Sequence, residues 1–250
     1  MSEICHVGFF NLNSNCSGFN PIDLLKRALD ECDQKDLFAQ SLIVLPEALN
    51  IVEGYYPAPH LDTNRKCVDL EVEKKLIALS EELRLCFVVG LISSTSAGPA
   101  GYSEAVLIDA RFRKVLSKKT LCDGSPCYTP FEQSPEDIVI SHRGVSIAAL
   151  ICMDAAAGDG EDAIEKQRVR HANILKEFEN HASRKILCVP ARFGSSMPSA
   201  VAQSWNQTRM SIIIANWGSV QFPSALHLEN GQVCLAPIEP RNSLVFAALL

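Results

Sequence analysis

Apolar positions along this chain follow two periods, and the two trade places repeatedly. Residues 5–10 form a short apolar run of strand type. Asn20, Pro21 and Asp23 then open a helix. An Asn side chain can accept from amides left open at a helix start, Pro fits the first helical position, and Asp suits the positive end of the dipole. Ile22, Leu25, Leu29 and Cys32 recur at helical spacing and give that helix one apolar face. Residues 42–45 are continuously apolar and stop at Pro46, as a buried strand does. Val72, Leu76, Leu79 and Leu83 mark the apolar face of a second helix, and residues 86–92 another buried strand.

The middle of the chain changes character. Residues 105–108, 113–117 and 137–140 are short strands joined by turns, and His142-Arg143-Gly144 is a turn into a strand over 145–151. A polar helix over 162–183, a strand over 186–189, a helix over 199–210 and a strand over 212–215 follow. Asn230-Gly231 is a strong two-residue hairpin signal, and residues 245–249 form a last strand. Strands alternating with helices, early and late, indicate a layered α/β fold. With no solenoid repeat and no low-complexity linker, residues 1–250 read as a single domain. The stretch 53–66, rich in Pro, Tyr and Asn, reads as a surface connection.

Composition narrows the classes of function. A formal charge of −6 with scattered Lys and Arg argues against nucleic-acid binding. The Arg168, Arg170 and His171 cluster reads as a solvated face. No apolar run is long enough to span a bilayer, so no membrane role is expected. Met-Ser-Glu-Ile-Cys-His lacks the pattern of a secretory leader, which favours a cytoplasmic protein. Most of the 10 cysteines then read as small buried hydrophobes rather than a disulfide framework. CxxC, HExxH and HxH spacings are all missing, so neither a metal nor another cofactor is expected.

Three segments carry chemistry. In Ile43-Val44-Leu45-Pro46-Glu47-Ala48 a carboxylate stands just beyond a buried strand, where ligand sites of α/β sheets gather. Partial desolvation there would favour base duty near neutrality. In Ser117-Lys118-Lys119-Thr120-Leu121 two lysines sit side by side, and adjacent strand residues face opposite ways. At most one of them can enter a pocket and stabilise an oxyanion. In Val145-Ser146-Ile147-Ala148-Ala149-Leu150-Ile151-Cys152-Met153-Asp154 an apolar strand delivers a cysteine to a turn, a common way to present a nucleophile.

Taken together, in this order and spacing, the segments resemble the nitrilase superfamily of carbon–nitrogen hydrolases. The matching motifs are Pro46-Glu47, Lys119-Thr120-Leu121 and Ile151-Cys152-Met153-Asp154. Tyr102-Ser103-Glu104-Ala105, Tyr128-Thr129-Pro130, Gly144, Val189-Pro190-Ala191 and Ala215-Asn216-Trp217-Gly218 add support, so the resemblance runs nearly the whole chain. It implies a four-layer α-β-β-α sandwich and a homodimer or higher homo-oligomer. It also implies a catalytic triad: Glu47 as general base, Lys119 stabilising the tetrahedral intermediate, and Cys152 as nucleophile. The Met153 N–H would be an oxyanion donor. Cys152-Met153-Asp154 is similar to the amidase and carbamoylase branches, which implies a small-molecule amide or N-carbamoyl substrate.

The chain departs from the family pattern in places. The second glutamate of many members would fall near Gly124 or Ser125, with Asp123 the nearest acid and Glu132 beyond. The usual Asp-x-x-Gly turn before the lysine strand is Asp109-Ala110-Arg111-Phe112, without glycine. Ser204-Trp205-Asn206-Gln207-Thr208 matches the family's later helix only loosely. These departures leave two other outcomes for the same site: acyl transfer from the thioester, or an impaired enzyme that works through protein–protein contact.

Overall fold

Alternation along the strands decides the architecture. The computed structural model describes residues 2–13, 20–50, 69–93, 102–110, 112–120, 138–155, 161–181, 183–191, 205, 210–218, 226–229, 232–235 and 243–249. The first half contains β1 (His6–Asn13), α1 (Pro21–Asp30), β2 (Ser41–Val44), α2 (Glu71–Leu83), β3 (Cys86–Ser93), β4 (Tyr102–Asp109) and β5 (Phe112–Thr120). The second contains β6 (Ile140–His142), β7 (Val145–Ala149), α3 (Glu161–Glu179), β8 (Arg184–Ala191) and β9 (Ser211–Gly218), then β10 (Leu226–Glu229), β11 (Gln232–Leu235) and β12 (Ser243–Ala248).

Strand order is β5-β4-β3-β2-β1-β9-β8-β7-β6, with β12 on β1 and the β10–β11 hairpin on β9. Among the described residues the two halves of this order join only at the end of β1, where Leu12 and Asn13 pair with Trp217 and Gly218. They form two sheets packed face to face. Leu42, Val44, Cys86, Val88, Ala105 and Leu107 point inward and share a core with Val145, Ile147, Ile186 and Cys188. The alternate residues Ile43, Leu45, Phe87, Val89, Val106 and Ile108 pack outward against Ile22, Leu25 and Leu29 of α1 and Val72, Leu76 and Leu79 of α2. On the second sheet, Ile174 and Phe178 of α3 join the core. The result is the expected α-β-β-α sandwich. β1, β2 and β3 run parallel, as do β7, β8 and β9, so each sheet gathers its carboxyl ends at one edge.

Local signals hold in detail for α1. Asn20 Oδ1 accepts from Ile22 N at 2.9 Å, Pro21 follows, and Asp23 lies in the first turn. Glu229 pairs with Gln232 across positions 230–231, as an Asn-Gly hairpin requires.

Three expectations are corrected. The short strand placed at 137–140 is Ile140–His142, because its partners are Ile147 to Val145 across the tight turn. The helix expected to reach 183 ends at Glu179, after which Ser183 Oγ meets Ser146 Oγ at 2.5 Å. The solvated face holds for Arg168 alone. Arg170 Nη2 donates to Ser117 Oγ of β5 at 2.6 Å, and His171 lies 4.4 Å from the Trp205 ring. The 53–66 stretch, Asp123 to Glu132, and the 199–210 helix apart from Trp205 and Met210 lie outside the described residues.

Candidate active site

Glu47 is held by a backbone that continues along β3 after β2 has ended. Leu45 N donates to Val88 O at 2.8 Å, Gly90 N to Pro46 O at 3.2 Å, and Leu49 N to Gly90 O at 3.1 Å. Asn50 then imitates a strand residue: its side chain donates to Ile92 O and accepts from Ile92 N, each at 2.8 Å. A Cβ on Gly90 would lie 2.5 Å from Glu47 Cα, so only glycine lets the two segments approach this closely. Across the sandwich, Glu47 N donates to Ala191 O at the end of β8 (3.3 Å). The carboxylate is buried, and Ser103 Oγ of β4 donates to its Oε1 at 2.9 Å.

Cys152 reaches the same edge from the other sheet. β7 pairs with β8 through Ala149, and Leu150 N extends the ladder to Cys188 O at 3.0 Å. The chain then breaks into a short 3₁₀ turn, Cys152–Ala155. Cys152 is buried and has φ 50, left-handed backbone that costs a non-glycine residue about 1 kcal/mol or more. Ala48, next to Glu47, has φ 59. Both chemical residues thus stand at sharp reversals where a parallel strand ends, and both reversals meet the end of β8. Trp205 Nε1 donates to Ala155 O at 2.9 Å and pins the far end of the cysteine turn. Met153 lies within that turn, one residue past the cysteine.

The register of β5 bears on the two lysines. Between Phe112 and Val115 it pairs regularly with β4, then Leu116 bulges, and Ser117 pairs with Ala105. The bulge shifts parity by one. Ser103 is therefore opposite Lys119 and Glu104 opposite Lys118; an unbroken ladder would set Lys118 opposite Ser103. The lysine position expected in the site is thus the cross-strand partner of the serine that binds Glu47. The sequence motifs include Ser103 only as part of Tyr102-Ser103-Glu104-Ala105, with no role of its own, and do not include Gly90. The available signals were a polar residue at an inward position of an apolar strand and a glycine inside one.

Two other buried thiols, Cys86 and Cys188, lie away from this edge or within the β8 ladder. Burial pushes the Cys188 thiol well up, and burial followed by the neighbouring Asp109 charge does the same for Cys86. Cys86, Asp109 and His142 gather at the other end of the strands, with possible ligand atoms within 4.8 Å of one another. There His142 Nε2 lies 2.7 Å from Asp109 Oδ2, and Arg143 Nη1 lies 3.6 Å from the same oxygen. Arg143 also donates to the carbonyls of Ser2 and Ala39. A guanidinium already supplies the positive charge that carboxylate faces. The cluster suits an ion-paired clamp between the sheets better than a cation site.

No family model and no curated protein matches this sequence. Solved structures do. A carbon–nitrogen hydrolase superfamily protein from Xanthomonas campestris superposes with TM-score 0.64 at 10% identity, over 100% of this chain and 91% of its own. An amidase from Nesterenkonia sp. gives 0.62 at 14% identity, over 100% and 91%. A variant of that amidase carries the acetamide moiety of fluoroacetamide covalently on its active-site cysteine. A glutamine-dependent NAD+ synthetase from Acinetobacter baumannii gives 0.62 at 16% identity, but this chain spans only 45% of that one. At these identities the likeness establishes the fold: this chain has the carbon–nitrogen hydrolase sandwich.

Proposed function

We propose that the chain hydrolyses a non-peptide carbon–nitrogen bond, in a linear amide or N-carbamoyl compound, with Glu47, Lys119 and Cys152 as its catalytic residues. The observation that carries this reading is the meeting of two strand ends. Glu47 and the strained Cys152 come from different sheets and abut the same end of β8, within the carbon–nitrogen hydrolase fold. The cysteine adduct on the Nesterenkonia amidase supports the same chemistry here.

Each group has a defined task. Glu47 takes the thiol proton of Cys152 as sulfur attacks the carbonyl carbon. The oxyanion of the tetrahedral intermediate is met by the Lys119 ammonium and the Met153 N–H. Glu47 returns its proton to the leaving nitrogen, the carbon–nitrogen bond breaks, and ammonia or an amine departs. Water, deprotonated by Glu47, attacks the thioester and regenerates the thiol. An amide is a weak electrophile, so attacker, proton and oxyanion stabilisation are all needed together.

Matched pairs of small amides and nitriles test the branch. Amides or N-carbamoyl compounds should release ammonia or amine, with little release from nitriles, and Cys152→Ala should be silent on all of them. Faster turnover of nitriles would overturn the branch. Turnover that survives Cys152→Ala would overturn the mechanism.

A further inference from the structure

We propose that Ser103 is a positioning residue that aims the Glu47 carboxylate at the Cys152 thiol; this rests on Glu47 being the base. The backbone of Glu47 is already fixed by hydrogen bonds of its neighbours to β3 and of its own amide to β8. What backbone pinning leaves open is rotation of the side chain. Ser103 Oγ restricts that freedom by donating to Oε1 at 2.9 Å.

The donor itself is rigidly carried. Ser103 is fully buried in β4, paired with Ile92 on one side and Lys119 on the other. A short hydroxyl side chain has few rotamers to lose, and it brings no charge that would compete with an ammonium for the carboxylate. Donation to the ionised form also favours that form, offsetting the burial that opposes it. A carboxylate aimed and kept ionised can accept a proton without first reorganising. Ser103 gives up no proton in the cycle and acts through Glu47.

The test follows iodoacetamide alkylation of Cys152 against pH, by peptide mapping of the full chain, in wild type, S103A, S103T, E47Q and S103A/E47Q. E47Q should slow alkylation near neutrality. S103A should slow it about tenfold, the scale of a lost hydrogen bond to a charged group. It should also move the acid limb of the profile upward, because an ionised carboxylate without its donor protonates at higher pH. S103T keeps the hydroxyl and should restore both rate and limb. In the E47Q background S103A should add less than about twofold, as coupled residues do.

Equal slowing by S103A with and without Glu47, or an unmoved acid limb, would mean that the serine merely supports packing and would end the proposal. E47Q slow with S103A at the wild-type rate removes Ser103 alone. E47Q at the wild-type rate removes Glu47 as base, and Ser103 with it.

Discussion

Of the five described non-glycine residues with left-handed backbone, Ala48 and Cys152 stand at the proposed site, while Arg84, Ala110 and Arg143 lie elsewhere. Cys152 and Ala48 adopt left-handed backbone where strands end, and each sets a reactive group at the rim rather than in the ladder. Both strand ends were legible in the sequence, because an apolar run that stops at Pro46-Glu47 or Cys152 announces its own edge. Alternation alone leaves open which lysine pairs across from Ser103, since a bulge leaves no trace in the hydrophobic pattern. Leu116 supplies that bulge and brings Lys119 opposite Ser103. Lys119→Ala is therefore expected to lower kcat by about a hundredfold or more, the usual cost of removing an oxyanion-stabilising group. Lys118→Ala should stay within about threefold, since that lysine has no part in the proposed chemistry. Steady-state ammonia release from a turned-over amide measures both. The opposite ranking would mean that β5 pairs one residue out of the register described.

Elements in this fold are held at their ends by side chains that reach across to other elements. Trp205 holds the cysteine turn through Ala155, and His171 of α3 packs on the same ring. Arg170 ties α3 to β5. None of these ties could be inferred from helical periodicity, because residues 168–171 carry charges that a solvated face would carry too. The clamp of Asp109, His142 and Arg143 does the same service between β4 and the β6–β7 hairpin. Its partners lie 33 residues apart, with no spacing pattern to betray them. Asp109→Asn leaves the Arg143 guanidinium, itself only 5% exposed, beside a neutral amide. Removing one partner of a buried pair costs about 3 kcal/mol or more. Urea denaturation should show that loss with Cys152 alkylation unchanged in the folded range, since the clamp and the site occupy opposite ends of the strands. A loss below about 1 kcal/mol would mean the clamp is replaceable by water.

For the whole molecule, the layered α/β class was legible because two hydrophobic periods alternate so clearly. The order of strands within the layers was not, since pairing between distant strands depends on registers that no local pattern encodes. The Glu–Lys–Cys chemistry proposed here needs no ion, and turnover is expected to persist after prolonged incubation with EDTA. Loss of turnover restored by added zinc would require a different site. The pairing of β1 has a consequence for how the chain is made. Besides β2, β1 pairs with β12 along residues 6–11 and with β9 along residues 12–13. β1 precedes both of these strands in the chain and must therefore wait for them to emerge. Until then its open edge is a template for any other extended segment, its own or a neighbour's. Folding of this sandwich closes like a ring, and closure comes only once β12 is available.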